Sequence, residues 1–327
     1  MKYSQGKLSA IDLVRIIAAA AIIMLHSFIE DKGFMNVYGG ELLTRWAVGF
    51  FFMVSGFFMK KDFKGILKYC IRIFIVYFVW TVIYALLFGE NIWTPWNMFS
   101  ALRSGIIMPF WYFPSLITCI VFVWLLNKLT KNESVTLAVC LLLYVVALLG
   151  NTYMNVAPVA DFMNRYFFPV FARIVGRSDT RDGIFNGSLY IAIGLWLSVR
   201  QREGKLDIKD KKKFLIIALI ALFLFWAEIY LLIRFDLGMR DVLIMSPVLC
   251  SFILVFAINH EMDEKKAVFC RDVSSLVFLM HYGFLNLMQA LFAGQWQVFI
   301  ATCVLSFAAA IAITLLSRKI RFLNFLY

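Results

Sequence analysis

The chain has 327 residues, of which 62% are hydrophobic and 16% charged, with 34 Phe and 9 Trp. A soluble domain of this length carries more charge and less apolar surface, so the composition excludes one and points to a polytopic membrane protein. The net charge of +12 would fit nucleic-acid binding only if basic side chains were interleaved with stacking aromatics outside the apolar runs. They are not, and no nucleic-acid partner is expected.

Taken in chain order, ten apolar segments are long enough to cross a bilayer, judged against a window of about 17–25 residues. They lie at approximately 9–29, 42–59, 66–88, 110–129, 134–150, 183–200, 213–233, 242–258, 272–291 and 296–317. Lipid offers backbone groups no partners, so each is predicted to be helical. The expected fold is all-α, a single transmembrane domain over 1–327 with about ten spans.

The loops between these segments alternate in basic content. Lys2 and Lys7, then Lys60, Lys61, Lys64, Lys68 and Arg72, then Lys128 and Lys131 fall on one side. So do Arg200, Arg202, Lys205, Lys209, Lys211, Lys212 and Lys213, then Lys265, Lys266 and Arg271, and finally Arg318, Lys319 and Arg321. The other side holds Lys32, Arg103, Arg165, Arg173, Arg177, Arg181, Arg234 and Arg240, making 22 basic residues against eight. This bias places both termini in the cytoplasm and assigns the positive charge to topology and contact with anionic lipid. It makes 151–182 the largest external segment, with Phe162–Val175 expected as an interfacial amphipathic helix or lid. Trp93–Met108 reads similarly. No cleavable signal peptide is expected, because the first apolar run contains Arg15 and lacks a small-residue cleavage site. No internal repeat of the kind used by inverted-repeat transporters is evident.

The first span is the most informative. It carries Asp12, Arg15 and His26. Ionisable groups inside a span are costly and usually face protein or a wet cavity. Arg15 and His26 stand eleven residues apart, close to three turns, so both point to nearly the same side, about 16 Å apart along the axis. Together they can line one tunnel, with Asp12 holding the guanidinium. Singly, Arg15 can snorkel to the headgroups and His26 can simply pack at the outer interface. His281 falls near mid-span and either lines the same cavity or bonds to another helix. His260 reads as a solvated loop residue. Glu228, an intramembrane carboxylate, needs a partner, for which Arg45 or Arg234 is available. The six cysteines lack paired spacing and read as buried thiols. No metal-ligand spacing, Walker sequence, glycine-rich phosphate loop or nucleophile elbow is present, so no metal is expected.

The pattern Ile-Asp-x-x-Arg, ten residues, then His, over Ile11–His26, resembles the opening motif of the membrane-bound acyltransferase-3 family. Phe50–Phe58 (FFFMVSGFF) resembles that family's aromatic-Ser-Gly segment in the second span. Phe110–Leu116 (FWYFPSL) resembles the aromatic start of its fourth span, and Ser274–His281 (SSLVFLMH) its late span ending in His. The resemblance covers essentially the whole chain. Departures are local. Where many members carry Arg-x-x-Arg at the start of the third span, Arg72 matches the second position, Tyr69 the first, with Lys68 beside it. The late His is often followed by Pro, and here Tyr282 follows. Thr180–Gly194 (TRDGIFNGSLYIAIG), with the same opening, also resembles the membrane domain of VanT-type serine racemases, which fuse it to a racemase absent from this chain and in which it is implicated in supplying serine.

The resemblance implies an O-acyltransferase that moves an acyl group, commonly acetyl, from cytosolic acyl-CoA (acetyl-CoA) to an external hydroxyl. His26 is then the general base, since imidazole titrates near neutral pH. Arg15 suits the donor's phosphate or carbonyl oxygens. Lys68 and Arg72 form a basic entry patch for the donor, or merely positive-inside charge. Asp161, Arg165, Arg181, Glu228 and His281 are candidates to hold a polar acceptor, either a glycan of the cell envelope or an amino acid. The same external charges also fit a solvated loop. The rival expectations are a membrane domain that takes up L-serine without chemistry, and a sensory or structural protein. Membrane lipid is an expected partner, and the oligomeric state is left open.

Overall fold

The computed structural model describes residues 7–28, 33, 38, 40–105, 108–170 and 180–327. Every predicted apolar segment contains a helix. These are α1 (Ile11–Ser27), the short α2 (Glu41–Thr44) with α3 (Ala47–Phe57), α4 (Phe63–Phe88), α5 (Pro95–Ser104), α6 (Tyr112–Thr130) and α7 (Glu133–Gly150). They continue as α8 (Ala157–Phe162), α9 (Gly187–Arg202), α10 (Lys211–Phe235), α11 (Met245–Ile258), α12 (Glu264–Leu291) and α13 (Gln295–Ser317). Among the described residues, six stretches are long and apolar enough to cross a membrane: Phe63–Phe88, Pro109–Thr130, Glu133–Gly150, Lys211–Phe235, Glu264–Leu291 and Gln295–Ser317. The other four helices in predicted segments, α1, α3, α9 and α11, have 17, 11, 16 and 14 residues. At about 1.5 Å per residue each is shorter than a hydrocarbon core of about 30 Å.

Helix starts follow local chemistry. Asp62, Asn132, Asp210 and Asp263 have their side chains accept from backbone N–H groups one turn in, at the starts of α4, α7, α10 and α12. Such caps satisfy donors that a helix start otherwise leaves open. All six cysteines are free; Cys119, Cys140 and Cys250 are buried as expected, whereas Cys70, Cys270 and Cys303 are only partly so.

One feature departs from an all-helical reading. Strands β1 (Lys7–Ser9) and β2 (Glu261–Asp263) pair antiparallel, with Lys7 opposite Asp263, Leu8 opposite Met262 and Ser9 opposite Glu261. The segments are too short and too polar to announce strands. They pair because they sit side by side where α1 and α12 begin. Since β1 leads into α1 and β2 into α12, the two helices run in the same direction from a common end. Ala10 N–H adds bonds to the carbonyls of Ala257 and His260 at that end.

The chain forms two compact units, one of Met1–Val48, Lys60–Ile117 and Phe256–Tyr327, the other of Gly49–Met59 and Thr118–Val255. In the first, α12 packs against both α1 and α13. An aromatic cluster of Tyr77, Tyr84, Phe110, Phe113 and Phe278 fills its interior, with ring centroids 5.2–5.9 Å apart. In the second, α3 and α9 cross at backbone contact. A Cβ on Gly56 would lie 2.1 Å from the Ile191 carbonyl oxygen, and one on Gly194 2.0 Å from that of Met53. Only glycine permits this approach, the close-packing device of membrane helices. Gly49 meets Tyr190 and Gly187 meets Phe52, so the contact runs the length of α3 and falls on the first half of α9.

Candidate functional site

Helix α1 buries Ile11, Ala18, Ala19, Ile22, Ile23 and Ser27 while Leu13 and Ile17 stay exposed. Arg15 and His26 fall along the buried stripe, as the eleven-residue spacing requires. Arg15 Nη1 donates to Asp12 Oδ1 at 2.8 Å, with both side chains largely buried. Arg271 and Asp272 of α12, themselves paired at 3.1 Å, lie within electrostatic range of Asp12. The sequence reading did not single out this second pair, which only the shared start of α1 and α12 brings near.

At the other end of α1, His26 stacks on His281, ring centroids 5.4 Å apart and planes 23° from parallel. His281 is fully buried and its Nδ1 lies 2.7 Å from the Phe278 carbonyl oxygen. A carbonyl only accepts, so in the neutral ring Nδ1 carries the proton and Nε2 a lone pair. Phe278 continues into the aromatic cluster, 5.9 Å from His281. The hydroxyl of Tyr84 accepts from Gly283 N–H at 3.0 Å and donates to the Leu279 carbonyl at 2.8 Å. Those two groups would otherwise bond to each other, so the tyrosine is inserted into the α12 ladder beside His281. An inserted side chain loosens a helix much as a proline does.

The basic entry residues lie exposed on α4. Arg72 Nη2 donates to the main-chain oxygen of Tyr327 at 3.2 Å, and Trp80 Nε1 to that of Leu326 at 2.8 Å. The C-terminal residues therefore already engage the guanidinium that the sequence reading assigned to the donor.

The remaining candidates separate. His281 belongs to the first unit, whereas Asp161, Arg165, Arg181 and Glu228 belong to the second. Glu228 takes neither Arg45 nor Arg234 as its partner. Its carboxylate accepts from the backbone N–H groups of Ile244 at 2.6 Å and Met245 at 2.8 Å, and from Tyr153 Oη at 3.4 Å. It caps the start of α11 from another helix, which compensates a buried carboxylate with fixed dipoles rather than a cation. Burial, and then the nearby carboxylate, pushes the Tyr153 phenol up to about 12, so at neutral pH it donates. Arg45 pairs with Glu41 at 3.3 Å, one turn away on its own helix, and Arg234 is exposed. Arg181 pairs with Asp182 at 3.1 Å and Asp241 at 3.6 Å. Asp161 is exposed, and the Arg165 guanidinium lies over Tyr166, 5.8 Å from the ring centroid. Of the expected lid Phe162–Val175, residues up to 170 are helical, including a π-helical turn at Met163–Phe167. The rest, with Arg173, Arg177 and Asp179, lies outside the described residues, as do Lys2 and Lys32. His260 is exposed and rests on Phe256 at 4.1 Å. Among the described residues no group of three His, Cys, Asp or Glu is placed to hold a metal.

A family model described as an acyltransferase domain matches residues 8–316, and the chain belongs to the membrane-bound acyltransferase-3 family. Two proteins of Enterococcus faecalis named "Amino-acid racemase" are similar to it. One is 24% identical, covering 84% of this chain and 40% of that protein, and the other is 25% identical, covering 96% and 46%. A "Serine/alanine racemase" of Enterococcus gallinarum is 27% identical, covering 66% of the chain and 32% of that protein. The chain therefore spans less than half the length of these relatives, as expected of the resemblance to VanT-type membrane domains. No solved structure matches.

Proposed function

We propose that the protein is an integral-membrane O-acyltransferase that takes an acyl group, acetyl by default, from cytosolic acyl-CoA and delivers it to a hydroxyl of an extracytoplasmic acceptor such as a cell-envelope glycan. The observation that carries this reading is the stacking of His281, from α12, on His26 of α1, the helix that also holds Arg15. His26, partly exposed where His281 is not, is the general base that takes the acceptor's proton. His281, itself held by the Phe278 carbonyl, stacks on that imidazole and fixes the position of its ring. Arg15, fixed by Asp12, meets the donor, and Lys68 and Arg72 guide its phosphates. Asp161, Arg165 and Arg181 are the external groups available to a polar acceptor.

The proposed topology has ten spans, both termini in the cytoplasm and the bacterial plasma membrane as its site. Helices in all ten predicted segments and the parallel pair α1/α12 support it. In an alternating chain of ten, that pair is separated by an odd number of crossings and so runs the same way.

Purified protein mixed with radiolabelled acetyl-CoA tests the reaction. Turnover of the thioester, or label on protein or acceptor, that disappears in His26→Ala supports it. A wild-type protein that neither binds nor turns over the donor overturns it. The names of the racemase relatives favour a second reading, a membrane domain that takes up L-serine. Proteoliposomes that accumulate labelled L-serine without any acyl donor would establish that instead.

A further inference from the structure

Inside lipid, a helix satisfies its own backbone, and a buried Ser or Thr usually bonds back to the carbonyl one turn before it. Ser27, Ser55, Thr81, Thr136 and Ser251 do this here, at 2.7–3.0 Å. Three hydroxyls of the first unit near the level of His26 do not. Thr44 Oγ1, Thr302 Oγ1 and Ser306 Oγ have no hydrogen-bond partner among the described residues, and neither has His281 Nε2. All four residues are at most 1% exposed. A buried polar atom left in this state costs about 1–3 kcal/mol.

These atoms come from three elements, α2, α12 and α13, all of which pack on α1. Their depths agree. Helices α12 and α13 fold back on each other across residues 292–294, so equal steps from that turn put Ser306 beside His281. Phe28 packs on Trp296 at 4.7 Å and Phe299 at 6.1 Å. Two residues back to His26 and three forward to Thr302 reach nearly one level, at about 1.5 Å per residue. Gly40 lies against the Phe28 side chain, and Thr44 follows one turn later. Along the helix axes, all four unpartnered atoms thus lie within about one turn of the level of His26.

We infer that the hydroxyls of Thr44, Thr302 and Ser306 are the donors that hold the carbonyl oxygen of the acyl thioester during transfer. The inference rests on the acyltransferase reading above and adds to it the group that takes the developing charge. As the acceptor oxygen bonds to the acyl carbon, the carbonyl π electrons move onto its oxygen and the hydroxyls donate to it. Collapse then breaks the carbon–sulfur bond, and the proton held by His26 passes to the departing CoA thiolate. Preorganised donors aimed at developing charge in a dry site are worth far more than in water.

The experiment compares acetyl-CoA hydrolysis by the full chain, in detergent, for wild type, Thr302→Val/Ser306→Ala and Thr44→Val, with Thr302→Ser as rescue. Thr314→Val is the control, because Thr314 shares the unpartnered state but lies two turns beyond Ser306. The expected result for the double variant is a kcat about a hundredfold down with KM for acetyl-CoA within about twofold. Its melting temperature should be equal or higher, since a costly buried hydroxyl has been removed. Thr302→Ser and Thr314→Val should keep wild-type kcat. A double variant that melts like wild type and keeps its kcat within about threefold overturns the inference while leaving the acyltransferase reading intact. So does a kcat loss that tracks a collapse in melting temperature and appears equally in Thr314→Val, since that marks a packing role. A wild-type protein inert to acetyl-CoA overturns both.

Discussion

The two units differ in how much of their buried polarity is paired, although the second also leaves Asn186 Oδ1 and Gln201 Oε1 without a hydrogen-bond partner among the described residues. In the second, Tyr144 donates to the Leu243 carbonyl at 2.7 Å and Tyr190 to Ser246 at 2.9 Å, while Glu228 caps α11. Its α3 and α9 press together at glycines, leaving no room for a methyl group. In the first, the helices around His26 leave an imidazole nitrogen and three hydroxyls unanswered, and a tyrosine is wedged into a helix ladder. The difference teaches that the paired polar groups of the second unit brace its fold, whereas those around His26 are the ones the proposed transfer would use. Proteins keep such local conflicts where function requires them.

The comparison can be broken or sharpened by substitution. The largest effect is expected from His26→Ala, which should lower acyl transfer by about 10²–10⁴-fold, the usual worth of a general base, with an unchanged melting temperature in detergent. Next comes Gly194→Leu in the second unit. Its side chain would displace the Met53 backbone, and overpacking of this severity costs about 3 kcal/mol, read as a lower melting temperature and loss of the monodisperse peak on size exclusion. If that variant melts normally, the bracing picture is wrong. Arg15→Ala should raise KM for acyl-CoA by about 10–100-fold, the scale of a lost hydrogen bond to a charged group, and lower kcat less. A milder test is Tyr84→Phe, which lets Gly283 N–H bond back to Leu279 and so reseats His281. Kcat is expected to fall about tenfold, equivalent to ~1.4 kcal/mol in barrier, with melting little changed. An unchanged kcat would make the wedge a packing feature. The smallest effect belongs to Arg165→Ala, an exposed surface change that should move stability by no more than about 0.5 kcal/mol, whatever it does to acceptor KM.

Much of the candidate site was legible in one helix. Spacing alone puts Arg15 and His26 on one stripe of α1, because helical period is a local property. Asp12 was legible as the partner of Arg15 for the same reason. The partner of Glu228 was not. A carboxylate in a span calls for compensation, and the sequence offers arginines, but helix-start amides compensate just as well and carry no residue signature. Thr302 and Ser306 did leave a trace, small polar residues four apart on one face of an apolar helix. That pattern also describes ordinary membrane-helix packing, and nothing local separates the two.

By itself the sequence determined that this is a helical membrane protein, where its apolar segments begin and end, and which family motifs they carry. Those follow from hydropathy, capping and period, each read over a few residues. Tertiary structure alone decided that His281 meets His26, that Tyr84 opens the ladder beside it, that Arg72 is engaged by the C-terminal residues, and that four unpartnered atoms share one depth. These depend on the register between helices hundreds of residues apart. That register is settled by the summed packing of whole helix faces and by the short β1–β2 pairing, and no window of sequence contains it.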